Sequence, residues 1–120
     1  MTPAKRDKAY LTHILESLER LPKHLRRAQH GKLWYEDETV REAVLHTLQT
    51  MCESCKRLSD EAKARSSEVD GKNIIGFRNV LVHEYLGDID YDKVTQVIEK
   101  RLPQLQMSIS RIYKELYDGK

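Results

Sequence analysis

Residues 40–58 read VREAVLHTLQTMCESCKRL, and apolar side chains recur along them every three to four positions. This spacing matches one face of an α-helix and lacks the strict alternation of a half-buried strand. The stripe consists of Val40, Ala43, Val44, Thr47, Leu48, Met51, Cys55 and Leu58. It predicts a helix that starts between Glu36 and Glu38, where acidic side chains complement the helix dipole, and that runs to about Ala64.

A similar stripe precedes this segment. It consists of Leu11, Ile14, Leu15, Leu18, Leu21 and Leu25. The stripe predicts a first helix that begins near Pro3, because proline is tolerated in a first turn. Pro22 lies within the stripe, so we expect the helix to kink or end there. Gly31 follows in a break and suits a helix-terminating position.

The remaining chain continues the helical pattern. Residues 65–71 are polar and predict a loop, and a third helix is expected after it, ending at Gly87. Asp88 or Asp90 can cap a fourth helix. Pro103 lies inside that helix and predicts a kink or split just before the proline.

Helices are therefore the only elements that the sequence predicts, since neither a strand pattern nor an internal repeat is visible. Four or five helices with short connections predict an all-α antiparallel bundle. A chain of 120 residues suits one domain, covering residues 1–120.

The composition is that of a soluble protein, with 39% hydrophobic and 33% charged residues. No apolar run approaches the roughly 20 residues needed to span a bilayer, and no apolar signal segment follows the first residues. We therefore expect a cytoplasmic protein with no membrane association. The net charge of +2 is too small to indicate nucleic-acid binding by itself.

Positive charge is nevertheless concentrated in one place. Residues 23–27 read KHLRR, and His30 and Lys32 follow closely. Two interpretations stay open here. The stretch is either a solvated helix face or a surface that attracts phosphate groups.

Cys52 and Cys55 form a C-x-x-C pair inside the predicted second helix. A structural zinc site needs four ligands, and no second pair of cysteines or histidines stands at suitable spacing. A thioredoxin-like redox motif needs a βαβ context, which is missing. We predict small, buried, inert thiols, no metal site and no cofactor, and a metal or redox protein is the least favoured alternative. The histidines at 13, 24, 30 and 46 show no ligand spacing.

Residues 74–87 read IIGFRNVLVHEYLG and carry the residues best suited to chemistry. His83 can transfer protons near neutral pH, and Arg78 can hold two phosphate oxygens at once. Gly76, inside a predicted helix, costs about 1 kcal/mol relative to alanine, which predicts a close approach of another helix there.

The spacing of these residues limits how they can cooperate. Arg78 and His83 are separated by about 140° on an ideal helix, so they cannot share one face of it. Asn79 and His83 can share a face, and so can Arg78 and Tyr85. Either the helix deforms near His83, or a second subunit completes the site.

This segment resembles the HepT-like branch of the HEPN superfamily. The family motif R-x4-H-x-Y reads here as Arg78, His83 and Tyr85, with Ile-Ile-Gly before the arginine and asparagine directly after it. Residues 15–20, 56–59 and 102–105 extend the resemblance over nearly the whole chain. On the second helix, where the family carries Asn-x-Glu followed by Gly-Glu-Ala-Ala, this chain has Thr47, Gln49 and Cys52-Glu53-Ser54-Cys55, so that Glu53 is the one residue kept.

The resemblance implies a metal-independent endoribonuclease that forms a homodimer. Its composite cleft would be lined by Arg78, Asn79 and His83 from both chains, with Glu53 in a supporting role. The resemblance further implies the toxin of a type VII HEPN/MNT toxin–antitoxin system, whose minimal nucleotidyltransferase (MNT) antitoxin transfers AMP to Tyr85. Transfer RNA and messenger RNA are both open as substrates. The alternative is a catalytically silent helical partner of a nucleotidyltransferase that binds RNA or a nucleotide.

Overall fold

The computed structural model describes residues 3–29, 31–66, 76–79, 81 and 89–118 of the chain. The helices are α1 (Pro3–Leu25), α2 (Glu38–Lys56), α3 (Asp60–Lys63), α4 (residues 76–79), α5 (Tyr91–Gln96) and α6 (Leu102–Tyr113). A 3-10 turn, Trp34–Glu36, precedes α2, and π-helical turns, Val97–Arg101 and Lys114–Asp118, follow α5 and α6. No strand occurs in the described ranges, and the predicted all-α fold is confirmed.

An antiparallel hairpin of α1 and α2 forms the centre of the fold, and α6 packs against α1. The first helix buries the predicted stripe, including Leu11 and Ile14, while α2 buries Leu48 and Met51. Each fully buried aliphatic side chain contributes about 1.5–3 kcal/mol relative to an exposed one. The hydrophobic stripes therefore face one shared core, as their spacing predicts.

The second helix begins where the sequence predicts, but it ends earlier. Asp37 caps its start by accepting hydrogen bonds from the N–H groups of Thr39 and Val40. The helix stops at Lys56 rather than near Ala64, so the predicted end was wrong.

Ser59 provides the physical reason for this early end. Its backbone is extended, and its hydroxyl accepts a hydrogen bond from the N–H of Ala62, which starts α3 as a new helix. Asp7 of α1 accepts hydrogen bonds from the Ser59 N–H at 2.8 Å and from the Ser59 hydroxyl at 2.5 Å. Leu58 and Ala62 remain buried across the break, which is why the apolar pattern appears continuous.

The first helix continues for one turn beyond Pro22 and ends at Leu25. The prediction that Gly31 terminates α1 was wrong. Gly31 lies six positions beyond Leu25, in the segment that connects α1 to α2. Its φ of 85° is in the left-handed region that favours glycine. The glycine therefore serves the turn before α2 rather than the end of α1.

The predicted fourth helix is divided as expected. Asp90, one of the two predicted caps, caps α5, and its side chain accepts a hydrogen bond from the N–H of Lys93. The π-helical turn Val97–Arg101 ends where α6 begins, with Pro103 in the first turn of α6. Proline has no N–H to donate, so the first turn of a new helix accommodates it.

Candidate active site

The segment α4 presents two polar side chains to solvent. Phe77 and Leu81, four residues apart, are buried, with 7% and 0% exposure. Arg78 and Asn79 lie between them and are exposed. Two apolar contacts on one helix face thus hold the other face outward, where it can meet a ligand.

The guanidinium of Arg78 lies near Cys52 of α2. Burial raises the pKa of the Cys52 thiol to about 12, while the positive charge of Arg78 acts in the opposite direction and lowers it. Phe77 and Leu81, on either side of Arg78, belong to the same hydrophobic core as Cys52. The exposed arginine is therefore carried by a segment that is anchored in the core of the fold.

Glu53 belongs to the same neighbourhood. Its negative charge raises the pKa of the Cys52 thiol further, so that Glu53 and Arg78 both act on one α2 residue. The Glu53 carboxylate accepts a hydrogen bond of 3.0 Å from the Nε of Arg57, one turn later on α2. The structure thus pairs Glu53 with Arg57, and the charges of Glu53 and Arg78 both act on Cys52.

His83 and Tyr85 lie outside the described residues, as do residues 67–75 and Gly87. Their predicted roles, and the predicted angle between Arg78 and His83, remain predictions. The prediction that another helix approaches Gly76 closely is wrong for the part of the chain that the structure describes. The glycine is exposed, and a Cβ built on it would meet no atom within 4 Å.

A polar contact that sequence reasoning missed lies next to Glu53. The Nδ1 of His13 is 2.6 Å from the hydroxyl oxygen of Ser54, and the two residues line one groove with Tyr10, Glu53 and Arg57. The partners are 41 positions apart in the chain. Nothing in the spacing of either helix indicates this pairing, because it depends on how far α1 and α2 are displaced along each other.

The two cysteines are free and fully buried, as predicted. Burial raises the pKa of both thiols, most strongly at Cys55. Reactive cysteines have a lowered pKa, so these thiols have the properties of core residues. Among the described residues, no group of three or more metal-ligating side chains is present.

Within the described ranges, no helix combines the length and the apolar character that a bilayer crossing requires.

Comparison with known proteins identifies one family. Residues 14–112 match the family described as Ribonuclease HepT-like. A candidate RNase of Caldanaerobacter subterraneus subsp. tengcongensis is 29% identical over 92% of this chain and 97% of its own length. A candidate RNase of Methanocaldococcus jannaschii is 26% identical over 88% of this chain and 96% of its own.

A second Methanocaldococcus jannaschii relative is longer. Its name describes a gamma-glutamylcyclotransferase and candidate RNase, and it is 26% identical over 94% of this chain but only 50% of its own length. No solved structure matches the chain at comparable significance.

Proposed function

Because the chain belongs to the HepT-like ribonuclease family, we propose that it is a metal-independent endoribonuclease centred on Arg78 and His83. The observation that supports this most directly is the placement of Arg78. The side chain is exposed, while Phe77 and Leu81 beside it are buried and attach α4 to the fold. A cation on a backbone anchored in this way is positioned to bind a phosphate group of RNA.

The proposed reaction uses the RNA's own 2′-OH. A proton acceptor removes the hydroxyl proton, the 2′ oxygen attacks the adjacent phosphorus, and a 2′,3′-cyclic phosphate forms. The bond to the 5′ oxygen breaks, and a proton donor protonates this leaving oxygen. Arg78 stabilises the negative charge that develops on the phosphate oxygens, and His83 transfers protons.

A homodimer would resolve the geometric conflict between Arg78 and His83. Two copies of the motif facing one cleft would supply two guanidinium groups and two imidazoles. One imidazole can then accept the 2′-OH proton while the other donates to the leaving oxygen. Asn79, exposed beside Arg78, would contact the RNA in the same cleft.

The test is RNA cleavage by purified Arg78→Ala and His83→Ala variants, with and without EDTA. We expect each substitution to lower the cleavage rate by about 100-fold or more, because it removes charge stabilisation or proton transfer. His46→Ala and Arg101→Ala alter exposed residues of the same types and should cleave normally. Cleavage by both motif variants at the wild-type rate would refute the site, and loss of activity in EDTA would refute metal independence.

We also propose that the chain is the toxin of a HEPN/MNT system and that its activity is controlled at Tyr85. The phenol oxygen of Tyr85 would attack the α-phosphorus of ATP, with pyrophosphate leaving and the phenol proton released. The added phosphate would then repel RNA from the cleft. Intact mass after incubation with the antitoxin and ATP should rise by whole AMP units in the wild type and in Tyr113→Phe, but not in Tyr85→Phe.

The second candidate is a silent binding partner of a nucleotidyltransferase. One observation favours it, since Thr47 stands where the family carries asparagine and is buried here, so its side chain supplies no polar group to a cleft. Under this alternative, the protein would bind RNA but leave it intact in the same assay.

A further inference from the structure

The basic stretch of the sequence forms one exposed surface at the end of α1. Lys23 lies in the last turn of the helix, Arg26 and Arg27 lie directly beyond it, and Lys32 follows in the connection to α2. All four side chains are exposed. We call these four residues the α1 basic surface, and we propose that it binds the phosphate backbone of RNA at a distance from the Arg78 site.

The charges of this surface are available to a ligand. Within the described part of the chain, the ion pairs involve Arg57 and Arg65, and none involves the four cations. Asp37 lines a small cavity with His24 and Arg27, but its carboxylate already caps α2. A phosphate group would therefore meet positive charge that no described carboxylate neutralises at contact distance.

The pKa of His24 indicates the sign of the electrostatic potential at this end of α1. Burial lowers the pKa of its imidazole, and the positive charges of Arg27 and Arg20 lower it further. The arginines thus lie close enough to His24 to repel a proton from it. Positive charge accumulates at this end of α1, where it would attract a polyanion.

The connection that carries Lys32 is firmly held. Trp34 is buried, and its indole N–H donates a hydrogen bond of 2.9 Å to the hydroxyl of Thr95 on α5. Tyr35 stacks on Tyr91 with ring centroids 5.0 Å apart. Lys32 therefore lies two residues before a packed segment, which limits the backbone freedom it loses on binding.

The α1 basic surface and Arg78 lie near opposite ends of α2. Val40 shares a cavity with His24 and Arg27, whereas Arg78 acts on Cys52. These two α2 residues are about 18 Å apart along the helix axis, at 1.5 Å per residue. A stacked strand, at about 3.4 Å per nucleotide, covers this distance in about five nucleotides. Long RNA can therefore contact both places, and a stacked trinucleotide is too short to do so.

The experiment compares two triple variants with the wild type. Lys23→Gln/Arg26→Gln/Arg27→Gln removes charge from the surface, and Lys100→Gln/Arg101→Gln/Lys114→Gln removes the same charge from exposed positions elsewhere. Fluorescence anisotropy measures binding of a 20-nucleotide and a 3-nucleotide 2′-O-methyl RNA over a range of KCl concentrations. Such RNA has no free 2′-OH and cannot be cleaved by the proposed reaction.

We expect the surface variant to bind the 20-nucleotide RNA at least tenfold more weakly at low salt. The slope of log K against log salt should fall in magnitude by about 2, since three contacts contribute about 0.7 each. The charge-matched control should keep the wild-type affinity and slope, and the surface substitutions should weaken binding of the trinucleotide much less than binding of the 20-nucleotide RNA, because the trinucleotide has few phosphates. Arg26→Gln/Arg27→Gln, which changes no helical residue, replaces the triple variant if thermal unfolding shows that the latter is not folded.

The proposal is overturned if the surface variant keeps the wild-type affinity and slope, if the control loses as much, or if the wild type does not bind the 20-nucleotide RNA. This inference rests on the proposed function in taking RNA as the ligand. Its readout is nevertheless binding of an uncleavable RNA. A protein that binds through this surface but cleaves no RNA would refute the nuclease proposal alone.

Discussion

At the scale of single residues, burial of the Cys52 and Cys55 thiols makes the free energy of unfolding depend on pH. Their thiols ionise at about 9 when exposed, and burial raises the pKa of Cys52 to about 12. The folded state therefore retains protons that the unfolded state loses. Stability from these groups is complete below pH 9 and is lost as pH rises from 9 towards 12.

We predict that this loss amounts to about 1 kcal/mol for each buried thiol between pH 8 and pH 10. Urea unfolding at both pH values measures it. Cys52→Ala/Cys55→Ala provides the reference, because it removes both thiols and leaves the other titrating groups in place. If the wild type and the double variant lose equal stability over this range, then the thiols do not titrate differently in the two states.

At the scale of secondary structure elements, Asp7 connects α1 to the junction between α2 and α3. Its carboxylate, in the first turns of α1, is 5% exposed and accepts both hydrogen bonds from Ser59, the residue between α2 and α3. Hydrogen bonds to a charged group contribute more than neutral ones. We predict that Asp7→Ala lowers the free energy of unfolding by about 2–3 kcal/mol.

Glu19→Ala is the matched control, since Glu19 is an exposed acidic residue of the same helix. Its effect should stay within about 0.5 kcal/mol. Combining Asp7→Ala with Ser59→Ala should cost less than the sum of the two single changes, because both remove the same contact. Additive effects in urea unfolding would show that the two residues act independently.

At the scale of the whole molecule, the proposed active unit is a dimer. Two inactive variants, Arg78→Ala and His83→Ala, can be mixed so that they form heterodimers. In each heterodimer, one chain supplies the remaining Arg78 and the other chain supplies the remaining His83. A composite cleft should then regain measurable RNA cleavage, below the wild-type rate because one imidazole and one guanidinium of the two remain. A site contained within one chain would stay inactive in every mixture.

The mixing experiment needs two controls. Subunits should be exchanged under conditions in which analytical ultracentrifugation shows that dimers dissociate and reform. Each variant mixed with itself should remain inactive. A wholly monomeric wild type that still cleaves RNA would exclude the composite cleft.

The local spacing of residues by itself determines much of this protein. The periodic apolar residues predict α1 and α2. Asp37 and Asp90 begin helices as N-caps. The spacing of Phe77 and Leu81 on one helix face leaves Arg78 and Asn79 on the face exposed to solvent. These features depend on residues within a turn or two of each other, so the backbone geometry of one helix is enough to predict them.

Only the tertiary structure decided the end of α2, the His13–Ser54 contact and the position of Arg78 near Cys52. Each depends on side chains that are far apart in sequence and meet only when helices pack. The Asp7–Ser59 contact shows the reason most clearly, because a break in a helix is stable when a distant group satisfies the exposed N–H. Periodicity reports which face of a helix is buried, but it carries no information about which distant polar group will lie opposite.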